Sequence, residues 1–167
     1  MNIKINKATI EDFDTVLGYL NKFMSLRLEG ISLRPNGMNK DEVIKKLPES
    51  TDCTNRLCLI AQSEKEIVGC LTFSRHPKIE YRHSGEFGMT VLPVHWRKDI
   101  GISLMCEMEK WCTSNHFRKI ELSVWSSNKP AIALYEKLGY ETEGRRKRSI
   151  IRDSKIYDLI LMGKWLG

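Results

Sequence analysis

The chain has 167 residues, of which 41% are hydrophobic and 29% are charged, and this balance is typical of one soluble globular domain spanning residues 1–167. No apolar run approaches the roughly 20 residues that a transmembrane helix needs, and the N-terminus lacks the apolar core of a secretory signal, so we expect a cytoplasmic protein without a membrane partner. The formal net charge of +6 favours an anionic partner, either a highly phosphorylated small molecule or a nucleic acid.

The cysteines and histidines predict neither disulfides nor a metal site. The cysteines are odd in number, form no C-x-x-C pair and are expected to be reduced thiols: Cys53, Cys58, Cys70, Cys106 and Cys112. The histidines have no zinc-ligand spacing with one another or with the cysteines: His76, His83, His95 and His116. The densest basic run, residues 145–148, falls in a predicted strand, so we favour a solvated strand face over nucleic-acid binding.

The first part of the chain predicts a strand and two helices. Two isoleucines near the N-terminus alternate with polar residues in a short strand, and Thr9 is expected to cap the helix that follows. The apolar residues of this helix recur at three- and four-residue steps: Phe13, Val16, Leu17, Leu20, Phe23 and Met24. A break at residues 35–37 precedes a second helix, which Asn39 caps and which runs through Leu47, and residues 49–55 form a polar loop.

The middle of the chain predicts three strands and a crossover helix. Residues 57–63 and 67–74 are apolar runs joined by a short polar link, so they form an antiparallel hairpin, and residues 81–91 add a third strand. In that strand Glu86, Gly88 and Thr90 share one face, and Phe87, Met89 and Val91 share the other. A helix over residues 100–115 and a strand over 119–125 then imply a parallel pair with a right-handed crossover.

The last part of the chain predicts one more helix and two strands. Asn128 or Ser127 caps the helix, and Gly139 ends it. Residues 140–151 and 155–162 form the closing strands.

A short strand, a basic loop and a helix start follow one another in residues 89–105, MTVLPVHWRKDIGISLM. The loop holds Arg97 and Lys98, and Gly101 opens the helix. A helix start leaves several backbone N–H groups without partners and carries the positive end of the helix dipole. This segment therefore predicts a phosphate-binding loop.

Residues 89–105 resemble the phosphate-binding segment of the GNAT superfamily of N-acetyltransferases, with these positions matching: Val91, Pro93, Gly101, Leu104 and Met105. Trp96 stands where the family usually has Gln or Arg, and Asp99 stands where it has its first Gly. Residues 124–140, VWSSNKPAIALYEKLGY, are similar to the GNAT pattern V-x-x-x-N-x-x-A-x-x-L-Y-x-K-x-G-F at almost every fixed position. The resemblance implies an α/β GNAT fold, with a mixed sheet of about seven strands, splayed at its centre, and about four flanking helices.

The resemblance also implies an N-acetyltransferase that uses acetyl-CoA as cosubstrate, without a metal, and moves the acetyl group to a primary amine by direct attack in a ternary complex. The end of the third strand would pair its backbone with the pantetheine arm, and the loop and helix start would hold the diphosphate. The cofactor-binding residues that it implies are Met89, Thr90, Val91, Trp96, Arg97, Lys98, Asp99, Ile100, Gly101, Ile102, Asn128 and Tyr135.

Three residues carry expectations that leave an alternative open. Tyr135 matches the family's proton donor to the departing thiolate, although a buried aromatic of the core would fit the pattern as well. Glu86 is the candidate base or water-ordering group, and an ordinary exposed strand residue is equally compatible. Asp99 either turns outward to cap the following helix, which we favour, or weakens cofactor binding by its charge.

The acceptor is the least determined part of this interpretation. The resemblance places part of the acceptor pocket in the first helix-loop-helix region, where the sequence names no substrate. We expect a small amine or amino-acid-like acceptor first, and a protein N-terminus or lysine second. The alternative function is a non-catalytic module of the same fold that binds acyl-CoA. The sequence leaves open whether the protein is a monomer or a homodimer.

Overall fold

The computed structural model describes residues 3–32, 37–64 and 66–167. The strands within these residues are β1 (Ile3–Lys7), β2 (Arg56–Ser63), β3 (Glu66–Arg75), β4 (Ser84–Val91), β5 (Lys119–Trp125), β6 (Glu141–Arg152) and β7 (Lys155–Trp165). The α-helices are α1 (Phe13–Ser25), α2 (Lys40–Ile44), α3 (Ile100–Ser114) and α4 (Lys129–Lys137). The expected mixed architecture of seven strands and four helices is confirmed.

All seven strands belong to one open sheet in the order β1-β2-β3-β4-β5-β7-β6. β1 to β4 form an antiparallel meander, and β5, β7 and β6 form a second antiparallel unit. β4 and β5 are parallel neighbours and join the two units. α3 connects them, as the crossover from strand to helix to parallel strand requires.

The sheet is splayed between β4 and β5. The two strands pair over Ser84–Lys119, Gly85–Ile120 and Glu86–Glu121, and their described residues make no further ladder contacts, although β4 continues to Val91. A gap therefore opens between their carboxyl ends. A gap at this end of parallel strands is where ligands bind in open α/β sheets.

Helices on both faces of the sheet explain why β2 and β3 are continuous apolar runs. One face packs on α3 and α4 through a core whose fully buried members include Leu71, Phe73, Leu104, Met105 and Met108. The other face packs on α1 and α2 through a second core that includes Val16, Phe23, Val43, Ile60 and Cys70.

Capping side chains set the start of the N-terminal helices. The Thr9 hydroxyl accepts a hydrogen bond from Glu11 N, and Asp12 accepts one from Thr9 N, so a capping box starts a 3-10 turn that leads into α1. The Asn39 side chain accepts a hydrogen bond from Asp41 N, at 2.9 Å. α2 is shorter than predicted, since regular helix ends at Ile44 and only a turn continues toward Leu47.

Two strand boundaries differ from the prediction by three residues, and the others differ by one at most. β4 begins at Ser84 because Ile79–Tyr81 forms a 3-10 turn, and the Ser84 hydroxyl donates to Tyr81 O at 3.0 Å. β7 runs on to Trp165 because it stays paired with β5 as far as Lys119. The predicted break at residues 35–37 falls largely outside the described residues, as does Lys65 in the link between β2 and β3.

Among the described helices, none is long and apolar enough to cross a membrane. In the same ranges, no three His, Cys, Asp or Glu side chains lie close enough together to hold a metal ion. All five cysteines are free thiols.

Candidate active site

A cavity of about 440 Å³ opens at the carboxyl end of β4, where β5 has diverged. Its walls come from α1, the segment after α1, the end of β4, the loop that follows, the start of α3 and the inner face of α4. Every predicted cofactor-binding residue except Lys98 lines it. A larger cavity of about 580 Å³ between β1, residues 51–53 and α3 contains none of these residues. The convergence of both sequence motifs makes the cavity at β4 the candidate active site.

The end of β4 presents a free backbone edge to this cavity. The hydrogen bonds from Leu92 N to Val68 O and from His76 N to Ser84 O fix the phase of the ladder between β3 and β4. In an antiparallel ladder the backbone N–H and C=O groups of successive residues point alternately toward and away from the partner strand. The N–H and C=O groups of Met89 and Val91 therefore point away from β3, into the opening that β5 leaves. An extended ligand with amide groups can pair with such an edge.

The loop after β4 ends in a helix start that suits an anion. Arg97 and Asp99 have left-handed backbone conformations, with φ of 57° and 55°. Where right-handed and left-handed residues alternate, the N–H groups of successive residues point into one concavity that can bind an anion. Ser103 N donates to Asp99 O at 2.9 Å, which leaves the N–H groups of Ile100, Gly101 and Ile102 at the open first turn of α3. The exposed Arg97 side chain adds a positive charge at the same mouth.

Lys98 lies apart from the cavity. Its ammonium donates to Val94 O at 2.9 Å, and the residue is not part of the lining. The predicted role of Lys98 in diphosphate binding therefore needs the side chain to leave this contact.

The helix-capping role favoured for Asp99 is wrong. Asp99 occupies the N-cap position of α3, yet its side chain makes no capping hydrogen bond. An N-cap residue usually has extended backbone angles, from which its side chain reaches the second or third helical N–H, whereas φ of 55° and ψ of 14° turn the Asp99 side chain elsewhere. This left-handed conformation also gives a physical reason for the glycine that the family pattern has at this position.

Trp96 takes part in the strand edge. Its indole N–H donates to Val91 O at 2.6 Å, while 52% of the residue stays exposed. The indole thus satisfies one of the carbonyls that face the opening. This contact accounts for a large aromatic residue at a position where the family pattern has a polar side chain.

Gly101 lets α3, α4 and β4 approach closely. A Cβ at this position would lie 3.3 Å from Leu134 Cδ2 and 3.4 Å from Met89 Cε. Since Gly101 also lines the cavity, any side chain there would crowd both the packing and the mouth of the site.

Tyr135 lies on the inner face of α4, is only 8% exposed and lines the cavity. Its ring packs edge-on against Phe87, with centroids 5.8 Å apart. Burial raises the pKa of Tyr135 to about 12. Its hydroxyl has no hydrogen-bond partner in the part of the chain that the structure describes, so the proton it carries is available to a ligand.

Asn128 combines two of the roles expected for it. Its Oδ1 accepts a hydrogen bond from Ala131 N at 3.3 Å and so caps α4. The residue also lines the cavity. Because capping uses the amide oxygen, the amide N–H groups remain for a ligand.

Glu86 is exposed and lies outside the cavity lining. Its carboxylate accepts a hydrogen bond from the Ser123 hydroxyl at 3.4 Å. Thr90 lies on the same strand face, about 13 Å farther along β4 by the usual rise per residue. A catalytic role for Glu86 would therefore act across the open face of the sheet through water.

Several cavity residues escaped sequence analysis: Phe23, Leu28, Glu29, Ile31, His95, Pro130, Ala131 and Leu134. The last three belong to the recognised motif of α4 and could have been named from it. His95 gave no local signal, although its Nδ1 is buried without a hydrogen-bond partner among the described residues. The residues from α1 and residues 28–31 reach the site through tertiary packing alone.

The sheet opens between two parallel strands, and a helix start that suits an anion lies at the opening. This arrangement is typical of α/β proteins that bind an extended phosphorylated ligand at the ends of their strands. Comparison with known proteins narrows this class. The model of the Acetyltransferase (GNAT) family matches residues 31–140. The chain belongs to the GNAT acetyltransferase family.

Individual relatives agree with this assignment. The L-amino acid N-acetyltransferase AaaT of Escherichia coli (strain K12) is 32% identical over 108 residues, which cover 64% of this chain and 66%, just under two thirds, of that protein. A GNAT-family acetyltransferase from Streptococcus pneumoniae superposes with a TM-score of 0.88 at 26% identity, over 99% of this chain and 100% of that one. The phosphinothricin acetyltransferase from Sinorhizobium meliloti, solved in complex with acetyl-CoA, shares the fold with a TM-score of 0.84 at 21% identity, over 100% and 90% of the two chains.

Proposed function

We propose that this protein transfers an acetyl group from acetyl-CoA to the primary amine of a small, amino-acid-like acceptor. The observation that carries the proposal is the convergence, in one cavity, of a free strand edge, an anion-binding helix start and the Tyr135 hydroxyl. The name of the Escherichia coli relative supports an amino-acid acceptor. The acetyl-CoA complex of the Sinorhizobium meliloti protein supports the acyl donor.

The residues present fit acetyl-CoA. The N–H groups at the first turn of α3, together with the Arg97 side chain, would bind the diphosphate. The backbone groups of Met89 and the Val91 N–H, which Trp96 leaves free, would pair with the amides of the pantetheine arm. Gly101 leaves room at the mouth that a Cβ would fill. Acetyl-CoA, when bound, supplies the acetyl group as an activated thioester.

Tyr135 would donate a proton to the departing sulfur. With its pKa raised to about 12, the hydroxyl is fully protonated at neutral pH. A thiol in water has a pKa of about 8.5. Transfer of a proton from this hydroxyl to a thiolate in water is therefore unfavourable, because the hydroxyl is the weaker acid. The same apolar surroundings also raise the pKa of the thiol, so the difference between the pKa values of the thiol and of Tyr135 becomes smaller.

The acceptor amine has to lose a proton before it attacks, because an amine with a pKa of about 10 is mostly protonated at neutral pH. Glu86 is our candidate for ordering the water that removes this proton. Its exposed carboxylate and the Ser123 hydroxyl lie on the same open face of the sheet.

A small acceptor suits the volume of the cavity, because the arm of acetyl-CoA would share this volume. About 440 Å³ is within the usual range for small-molecule sites. Phe23, Leu28 and Ile31 close one side of the cavity. A protein N-terminus or a lysine side chain would have to enter through the remaining opening.

The test is a panel of L-amino acids, small amines and peptides incubated with acetyl-CoA and the protein. Release of CoA should be measured by chromatography, because the partly exposed Cys53 and Cys106 would react with a thiol reagent. We expect turnover with at least one class of small amine. Turnover with peptides alone would replace the acceptor class, and calorimetric binding of acetyl-CoA without any turnover would favour the non-catalytic module.

A further inference from the structure

One wall of the cavity is an irregular segment that needs support from elsewhere. Residues 27–31 follow the end of α1 at Ser25 and contain neither helix nor strand, and Leu28, Glu29 and Ile31 line the cavity. We refer to residues 27–31 as the acceptor wall. Since its backbone carbonyls have no partners in regular secondary structure, they need donors from other parts of the chain.

Arg152 supplies these donors from the far end of the sequence. It is the last residue of β6, where the hairpin to β7 turns back. Its Nη1 donates to Leu28 O at 2.7 Å and to Ile31 O at 3.1 Å, and its Nη2 donates to Arg27 O at 2.6 Å. One guanidinium thus binds three carbonyls of the acceptor wall.

The guanidinium is itself held in place. Its carbon lies 6.0 Å from the centroid of the Trp125 ring at the end of β5, and Asp153 lies 3.6 Å from Nε. The Arg152 side chain is 13% exposed, whereas that of Asp153 is 78% exposed. A charged group this well buried makes strong hydrogen bonds to neutral carbonyls, and its planar fork fixes their positions.

The acceptor wall is also fitted closely to the reaction site. Gly30 has φ of 84°, and a Cβ there would lie 3.0 Å from Asn128 Cβ and 3.2 Å from Asn128 Nδ2. The wall thus lies directly against the residue that caps α4 and lines the cavity. Displacement of residues 27–31 would change the cavity next to Asn128 without touching the helix start at α3.

We propose that Arg152 is a positioning residue for the acceptor, because it fixes the acceptor wall against Asn128 and so maintains the acceptor side of the cavity. The helix start of α3 and the edge of β4, where acetyl-CoA is expected, make none of these contacts. Loss of Arg152 should therefore weaken productive acceptor binding far more than acetyl-CoA binding. This inference rests on the proposed acetyl transfer.

The test compares Arg152→Gln and Arg152→Lys with Arg146→Gln, which removes an equal charge from an exposed position of the same strand. Hydrogen exchange of the peptide that covers residues 26–32 reports on the wall without requiring activity. We expect exchange to be at least about tenfold faster in Arg152→Gln than in Arg146→Gln, because the wall opens locally. Equal exchange in the two variants would overturn the proposal.

Steady-state kinetics form the second arm, with each substrate varied in turn. In Arg152→Gln the KM for the acceptor should rise about fivefold or more, as expected when the competent wall is populated only part of the time. The KM for acetyl-CoA should change less than about twofold. A loss confined to kcat, or equal changes in both KM values, would refute a positioning role.

Arg152→Lys keeps the charge and three donors but loses the planar fork, so its acceptor KM should lie between those of the unmutated protein and Arg152→Gln. If Arg152→Gln does not fold, Arg152→Lys carries both arms, and an unchanged acceptor KM in it would overturn the proposal. Absence of any turnover in the unmutated protein would contradict the proposed function instead. The exchange experiment would still decide whether Arg152 holds the wall.

Discussion

Asp99 is the clearest departure from the family pattern in the phosphate loop, and replacing it by glycine separates two physical effects. The first is backbone strain, since φ of 55° is unfavourable for a residue with a Cβ. Relief of this strain is worth of order 1 kcal/mol. The greater freedom of glycine in the unfolded chain offsets about 0.5–1 kcal/mol of it. The free energy of unfolding of Asp99→Gly should therefore change by less than about 1 kcal/mol.

The second effect is charge. A diphosphate bound at the N–H groups of Ile100 to Ile102 would lie near Asp99, and we take a charge separation of about 6 Å to set the scale of the repulsion. Two unit charges at this distance repel by about 0.7 kcal/mol in water and by about 2.8 kcal/mol at an effective dielectric constant of about 20. Because Asp99 is exposed, we adopt about 1 kcal/mol. This corresponds to acetyl-CoA binding about fivefold tighter in Asp99→Gly.

Asp99→Asn is the matched control, because it removes the charge but keeps a side chain that tolerates the left-handed region. Calorimetric titrations with acetyl-CoA at roughly 0.1 M and 1 M salt should show tighter binding of both variants at the lower salt and a smaller difference at the higher one. If Asp99→Asn binds no more tightly than the unmutated protein at low salt, the carboxylate does not face the diphosphate. A stability loss well above about 1 kcal/mol in Asp99→Gly would contradict the argument from backbone strain.

Four further predictions concern the rest of the site. Tyr135→Phe should lower kcat more than about tenfold and leave the Kd for acetyl-CoA nearly unchanged, as measured by kinetics beside calorimetry, because it removes a proton donor and little packing surface. Because the pKa of Tyr135 is raised to about 12, its hydroxyl stays protonated as pH rises, so kcat of the unmutated protein should not fall on its account below about pH 11. Glu86→Gln should shift the rising limb of the pH–rate profile, and an identical profile would leave Glu86 an ordinary strand residue. Gly101→Ala should raise the Kd for acetyl-CoA severalfold with little change in melting temperature, since better helix propensity of about 1 kcal/mol offsets the close contacts. Gly18→Ala is the control for Gly101→Ala: a Cβ at residue 18, outside the site, would meet nothing within 4 Å, so the melting temperature should rise and the Kd should not change.

The parts of the fold that could be predicted from sequence depend on local signals. The strand Lys119–Trp125 and the start of α3 at Ile100 agree with the prediction because apolar periodicity and short polar links mark them. β4 starts at Ser84 and not at Tyr81, although tyrosine is a residue type that is common in strands. In the structure a 3-10 turn and the Ser84 hydroxyl bond take up that part of the chain.

The part of the cavity that we expect to bind phosphate, called here the phosphate side, could largely be outlined from the sequence for the same reason. It is built from consecutive residues at the end of one strand and the start of one helix, so sequence adjacency implies spatial adjacency. The prediction that Asp99 caps α3 is wrong, because its left-handed backbone conformation keeps the side chain from the N–H groups of the helix. The loop fixes that conformation, and composition gives no sign of it.

The acceptor side could not be predicted, because it is assembled by contacts between distant residues. The hydrogen bond from Arg152 to Leu28 O spans 124 positions, and nothing near either residue signals the other. Gly30 shows why the fit matters, since its positive φ and missing Cβ allow the wall to lie against Asn128.

These two sides of the cavity also differ in how their geometry is maintained. The phosphate side is fixed mainly by main-chain hydrogen bonds of β4 and α3. The acceptor wall depends on one arginine side chain from another strand. We therefore expect a substitution at residue 152 to change which acceptors fit and to leave the binding of acetyl-CoA unchanged. Acceptor preference in this chain should accordingly respond to changes in the hairpin of β6 and β7, although no residue of that hairpin lines the cavity.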